Sequence, residues 1–391
     1  MDIEEEVKAL SDELLGLRRD FHSHPELGYQ EYRSSEIICR FLEACGLETR
    51  RAAKTGVVGL LRGKAEGPTL MLRADMDALA VQEQNDIPYR SQAQGKMHAC
   101  GHDGHMAMLL VAAKILSGHR DRFRGNLKFV FQPNEEDVGA MAMIEEGVLE
   151  DPKVDACLGV HLWSLLEAGK IGISAGAVMA GIDHFKLEVL GKGGHTGVPH
   201  QAVDPILCAA DLIQSFQMVQ TREIDALKPT VIMFGRIEGG TRSNVIPERV
   251  TLEGTARYLY RTGEGANEDL RGRLERIADG VCRAHRTEYR LDFKASHPAL
   301  INDRFMTELV KSEAQSVLSK PENIVDFVTM AGDDFAEFAA RVPGAYYFIG
   351  AGNERKGASF PHHHARFNID EDVLPLGALM HVRTALRYLN G

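Results

Sequence analysis

Leu127-Lys128-Phe129-Val130-Phe131-Gln132-Pro133-Asn134-Glu135-Glu136 is a short apolar run that ends on donor residues. Its aromatic and β-branched side chains, closed off by a proline, predict a buried strand. The pattern recurs twice. Thr69-Leu70-Met71-Leu72 runs into Arg73-Ala74-Asp75-Met76-Asp77, and Ala156-Cys157-Leu158-Gly159-Val160 runs into His161. Three strands that each end on acidic or metal-capable residues predict an α/β sheet with a ligand site at its strand ends. Helical periodicity over 4–20, 34–44 and 106–116 predicts helices that cover this sheet, the second stopping at Gly46.

Between the second and third of these helices lies Met97-His98-Ala99-Cys100-Gly101-His102-Asp103-Gly104-His105. Thiolate, imidazole and carboxylate are the side chains that hold zinc and its first-row neighbours. No Cys-x-x-Cys pair accompanies them, so the spacing predicts a site completed by distant segments. Glu135 and Glu136 are candidates for that completion. In extended chain, neighbouring side chains point oppositely, which would let one bind metal and the other act as a general base. His161 is a further candidate, as is one of His362, His363 and His364. Gly191-Lys192-Gly193-Gly194-His195-Thr196 lacks the Gly-x-x-x-x-Gly-Lys-Ser/Thr phosphate loop and reads as a tight turn that presents His195. A nucleophilic Cys100 with His102 is the competing chemistry. It leaves the carboxylates and the isolated histidines without a role.

From about 182 the pattern changes. Strands over 183–190, 230–237, 249–259 and 288–293 alternate with helices over 204–221 and 267–285. The order β-α-β-β-α-β is that of a ferredoxin-like α+β unit. We therefore expect residues 1–180 and 295–391 to form a discontinuous catalytic metal-binding domain, with 181–294 inserted as a second domain. A helix over 303–318, a strand at 346–350 and a helix from 373 return the chain to α/β character.

Composition excludes some functions. A formal charge of −11 argues against nucleic acid or an anionic membrane as main partner. No apolar run approaches the ~20 residues of a membrane span. The acidic start Met1-Asp2-Ile3-Glu4-Glu5-Glu6 lacks the order of a signal peptide, and six scattered cysteines do not form a disulfide framework. The expectation is a cytoplasmic protein.

The gathered motifs resemble peptidase family M20, and within it the amidohydrolases that include hippurate hydrolases, N-acyl-amino-acid deacylases and auxin-conjugate hydrolases. The resemblance rests on residues 17–28 (LRRDFHSHPELG), 72–79 (LRADMDAL), 98–105, 131–136, Gly193-Gly194-His195-Thr196 and Ser243-Asn244-Val245-Ile246-Pro247, in order along nearly the whole chain. It implies a zinc-peptidase-like catalytic domain with helices around a mixed sheet, and makes the insert a lid and dimerisation domain. It implies two divalent ions per subunit (Zn, Mn, Co or Ni) held by Cys100, His102, Glu136, His161 and His363. Glu135 becomes the general base, and Asp77 supports the metal site from behind. His195 becomes a lid histidine that polarises the scissile carbonyl, in a dimer reaching the partner's site, and Asn244 a lid contact to the substrate. The implied reaction is hydrolysis of the amide bond of an N-acyl amino acid. A carboxypeptidase or dipeptidase is the alternative within the family, and a Cys100 thiol hydrolase the alternative outside it. Ala80, Asn134, Asp137, Val138 and Ala365 depart from the family's usual residues without removing a ligand or the base.

Overall fold

Strand Thr69–Asp75 is buried along its whole length and lies between Asn126–Gln132 and Ala156–Glu167, parallel to both. Gly344–Gly352 adds to the far side of Ala156–Glu167, again in parallel. Four parallel strands thus bring their carboxyl ends to one edge, where α/β sheets bind ligands. Gly56–Arg62 and Glu48–Ala52 extend one side antiparallel, and Ile171–Gly172 and Ile324–Val325 close the other, giving a mixed eight-stranded sheet. The computed structural model describes residues 2–262 and 268–391. Among them, no helix is long and apolar enough to cross a membrane.

The helix His102–Ser117 is buried almost all round, as its continuous apolar sequence requires, and packs against Ser11–Ser23 and Leu374–Asn390. It starts four residues before the expected 106, so His102, Asp103 and His105 belong to its first turn. The helix expected over 4–20 is two, Ile3–Ala9 and Ser11–Ser23, broken at Leu10. Ser11-Asp12-Glu13 supplies the polar and acidic first turn that starts a new helix there. Tyr32–Ala44 ends as expected at Gly46, whose φ of 74° suits a residue without Cβ. The Gly46 and Leu47 amides bond back to Glu43 and Leu42.

One expectation fails in an informative way. The strand carrying His161 does not end there but continues to Glu167. The parallel pairing with Gly344–Gly352 persists past His161, which sits opposite Phe348. His161 is therefore held by a ladder and not by a loop.

The chain divides into two compact units. The first comprises residues 1–178, 301–328 and 333–391 and contains the eight-stranded sheet. The second comprises 179–300 and 329–332. In it, a four-stranded antiparallel sheet runs in the order Thr230–Gly239, Arg249–Tyr258, Gly181–Leu190, Glu288–His297. Gly181–Leu190 alternates in burial, so one face is covered. The helices of this unit, Pro205–Met218 and Leu270–His285, start at Asp204 and Asp269, whose carboxylates accept the Ile206 and Gly272 amides. The expected first residue of the second helix, Asn267, lies outside the described residues. The β-α-β-β-α-β order and the antiparallel sheet make this a ferredoxin-like unit.

His381, on the helix Leu374–Asn390, is fully buried and neither ring nitrogen has a hydrogen-bond partner among the described residues. Burial pushes its pKa down to about 3, with His105 adding to the effect. A histidine held neutral in the fold contributes stability above its unfolded pKa of ~6.5, and that stability is lost as pH falls towards the folded value. At pH 5 the loss is on the order of 2 kcal/mol relative to neutral pH. His381→Leu is expected to flatten the pH dependence of urea unfolding between pH 7 and 5. An unchanged slope would show that His381 does not contribute to it.

Candidate metal centre

The residues past strand Thr69–Asp75 and those past Asn126–Gln132 meet through Asp77. Its two carboxylate oxygens accept the Glu135 and Glu136 amides at 3.0 and 3.1 Å. Glu135–Asp137 is a 3-10 turn and not the extended chain expected from sequence, so the two carboxylates are separated by the turn. Asn134 and Val138, on either side of it, have φ of 55° and 63°. Such values are uncommon for any residue with a Cβ and are an outlier for a β-branched one. The turn is pinned against that strain. The buried Glu31 carboxylate accepts the Asn134 amide at 3.0 Å and the Thr55 hydroxyl at 2.6 Å, and the Asn134 side chain donates to Asp137 O.

The loop before helix His102–Ser117 brings its donors to the same place. Cys100 Sγ lies 3.6 Å from His161 Nε2, and both residues are buried. His102 Nε2 is 3.8 Å from Glu135 Oε2, and His363 Nε2 is 3.3 Å from Glu136 Oε1. Among the described residues, five overlapping groups have donor atoms within 4.8 Å of one another: Cys100, His102 and His161; Cys100, Glu136 and His363; His102, Glu135 and Glu136; Asp75, His102 and His105; Glu135, Asp333 and Asp334. Their remaining valences are set from behind. His102 Nδ1–H donates to Asp77 O at 2.8 Å, and His161 Nδ1–H donates to Leu162 O at 2.9 Å. Each ring therefore turns a bare Nε2 towards the cluster. His102 Nε2 and Glu136 Oε1 are buried yet make no hydrogen bond among the described residues. Buried polar atoms are nearly always satisfied, so these orphaned acceptors fit cations.

Electrostatics agree. Burial, with Asp333, Glu136 and Asp334 nearby, pushes the Glu135 carboxyl well above its usual range. Burial and the Glu136 and Glu135 carboxylates push the Cys100 thiol far up as well. Against its desolvation, Asp75 and Asp77 raise the pKa of His102 to about 10, so its Nε2 attracts a cation, proton or metal ion alike. A concentration of negative charge this dense in a poorly solvated site calls for a bound positive charge.

A buried network unread in the sequence lies beneath the cluster. Arg73 bonds Asp75 at 2.7 Å, Asp333 at 3.3 Å, Asp334 at 3.1 Å and Gln132 at 2.9 Å. Gln132 also donates to Asp334, as does the Ala140 amide just past the Glu135 turn, and Tyr346 donates to Asp333. His105 donates to Asp75 through Nδ1 and accepts the Leu162 amide at Nε2. Asp103 pairs instead with Arg18 and His22, and His22 with Glu83. His105 and Asp103 thus orient the donor loop. His98 is buried beside it. His362 packs on Trp163 with centroids 4.4 Å apart, and His364 stacks on Phe360. The one sequence signal for the Arg73 network was alternation, which puts Arg73 and Asp75 on one face of their strand. Nothing local marks Asp333 and Asp334.

His195 and Asn244 belong to the second unit and lie together there. Gly194–His195 pairs with Val245–Ile246, and the Thr196 amide bonds Asn244 O at 3.4 Å. Both side chains are exposed, and His195 Nδ1 accepts the Gly197 amide at 2.9 Å, which puts the proton on Nε2.

A strand-edge cluster of thiol, imidazole and paired carboxylates is the arrangement of a metal-dependent hydrolase. Residues 71–387 match the model of peptidase family M20/M25/M40, and this chain belongs to that family, whose members hydrolyse amide bonds. It is 37% identical to thermostable carboxypeptidase 2 of Saccharolobus solfataricus over 99% of this chain and 98% of that protein. It is 35% identical to the N-acetyl-L-cysteine deacetylase of Bacillus subtilis over 98% of this chain and 90% of that one. Among solved structures, a dinuclear metal-binding M20 peptidase from Bacillus subtilis superposes with a TM-score of 0.85 at 30% identity, covering 98% of this chain and 99% of that one.

Proposed function

We propose that this chain hydrolyses the amide bond of N-acyl amino acids, with Glu135 as general base. The observation that carries the reading is the Asp77-held turn, which sets two adjacent carboxylates against a cluster of bare imidazole nitrogens and a thiol. Cys100, His102, Glu136, His161 and His363 would hold two divalent ions, and zinc, manganese, cobalt and nickel all suit such a donor set. Ions bound there would lower the pKa of water from ~15.7 towards ~7 and polarise a carbonyl. Glu135, beside the ligands, takes the proton of the attacking water and passes it to the leaving amine. Asp77 acts from behind by fixing the Glu turn and the His102 tautomer.

His195 and Asn244 are assigned to the substrate. A proton on His195 Nε2 suits donation to the oxyanion, and the neighbouring Asn244 suits the polar end of the amino acid. Residues 181–294 would then serve as lid and dimerisation domain of a homodimer in which His195 reaches the partner's site.

The likeness to an N-acetyl-L-cysteine deacetylase supports an N-acyl substrate, and that to a carboxypeptidase supports a peptide as the second reading. A Cys100 nucleophile is disfavoured, since its surroundings raise the thiol pKa where a nucleophile needs it lowered. The test is hydrolysis of N-acetyl and N-benzoyl amino acids against dipeptides, before and after chelation. Loss of activity on chelation, its return with Zn²⁺, Mn²⁺ or Co²⁺, and faster turnover of the N-acyl substrates are expected. Faster dipeptide turnover would establish the peptidase reading. Activity that survives chelation and is lost to iodoacetamide would establish the thiol one.

A further inference from the structure

Cys208 and Cys282 take no part in the metal centre. They lie in the second unit on helices Pro205–Met218 and Leu270–His285, which pack against each other. Both are buried, and their Sγ atoms are 3.8 Å apart, in van der Waals contact. Cys208 Sγ also lies 3.1 Å from Thr287 Oγ1. Three residues further along each helix, His285 Nε2–H donates to the Asp211 carboxylate at 2.6 Å. The two helices are therefore joined by two rungs, a buried one of thiols and an outer imidazole–carboxylate hydrogen bond.

We propose that Cys208 and Cys282 form a redox pair that a hydroperoxide converts into a disulfide, stapling the two helices of the ferredoxin-like unit. An S–S bond brings its sulfurs to ~2.05 Å, and these two already lie in contact at 3.8 Å. Cys208 is the attacking thiol. Thr287 Oγ1, 3.1 Å from its Sγ, can donate a hydrogen bond to the thiolate. The Cys208 thiolate attacks the peroxide, the O–O bond breaks, and a sulfenic acid forms as water, or an alcohol from an organic peroxide, leaves. The Cys282 thiol then attacks that sulfur, the S–S bond forms, the S–O bond breaks and a second water departs with the thiol proton. Two thiols lose two electrons, and the peroxide gains them. The bond would close a loop of 74 residues, which restricts the unfolded chain and raises the unfolding temperature of this unit.

The test treats the full-length, metal-loaded protein with a small excess of hydrogen peroxide, then alkylates all free thiols under denaturing conditions for peptide mass mapping. Two of the six thiols should escape alkylation, a peptide pair linked through Cys208 and Cys282 should appear, and dithiothreitol should restore both. The melting temperature should rise on oxidation and fall back on reduction. Cys208→Ala and Cys282→Ala should each abolish the linked pair, whereas Cys39→Ala should leave it. Full alkylation of Cys208 and Cys282 after peroxide, or their separate conversion to sulfinic acids without a link, would overturn the proposal.

Discussion

Glu135→Gln should lower kcat for N-acyl amino acid hydrolysis by at least about 10²-fold, the scale of a lost general base, while metal content stays unchanged. The amide keeps the shape of the side chain and leaves the five proposed ligands intact, but it cannot accept a proton. The Asp77 bonds to the turn run through backbone amides and survive the substitution. The expected signature is therefore a loss in kcat with little change in KM, because binding is made elsewhere. The pH profile should lose its acidic limb as well. Near-wild-type turnover would show that another group takes the proton. Equal loss of metal and activity would instead make Glu135 a ligand.

Arg73→Met should destabilise the first unit by about 3–5 kcal/mol, the cost of breaking a buried charge network by removing one partner. The guanidinium is fully buried and serves Asp75, Asp333, Asp334 and Gln132 at once. Without it, three carboxylates are left in a dry site with no matching cation. Burial already outweighs Arg73 at Asp334, whose pKa stands at about 8. The consequence reaches the centre, because Asp334 also holds the Ala140 amide past the Glu135 turn and Asp75 holds His105. Arg73→Lys retains the charge but not the planar fork, and should fall between the two. Urea unfolding checks both, and a midpoint for Arg73→Met matching wild type would contradict the role given to the network.

The strands were legible because their apolar runs are short and punctuated by donors, as at Leu127–Phe131 and Thr69–Leu72. The β-α-β-β-α-β unit was legible for the same reason. The donors of the 98–105 loop were visible as chemistry before any partner was known. Three features around the site were not legible, each for a physical reason. The extension of the His161 strand to Glu167 depends on a partner strand at Gly344–Gly352, which local sequence does not announce. The 3-10 turn at Glu135 depends on Asp77 and Glu31, which lie far from it in sequence. Arg73 meets Asp333 and Asp334 across some 260 residues, so that the two aspartates look like ordinary surface charge until the fold buries them. Local pattern identified the ligand candidates; long-range pairing supplied what holds them in place.

Cys100, His102, Glu136, His161 and His363 are proposed together to hold two divalent ions. The most direct measurement is the metal stoichiometry of the wild-type protein, loaded with Zn²⁺ or Mn²⁺, desalted and analysed by plasma mass spectrometry alongside Cys100→Ala and His161→Ala. Two ions per wild-type chain and fewer in both variants are expected. A wild-type chain that retains no ion, or variants that retain two, would contradict it.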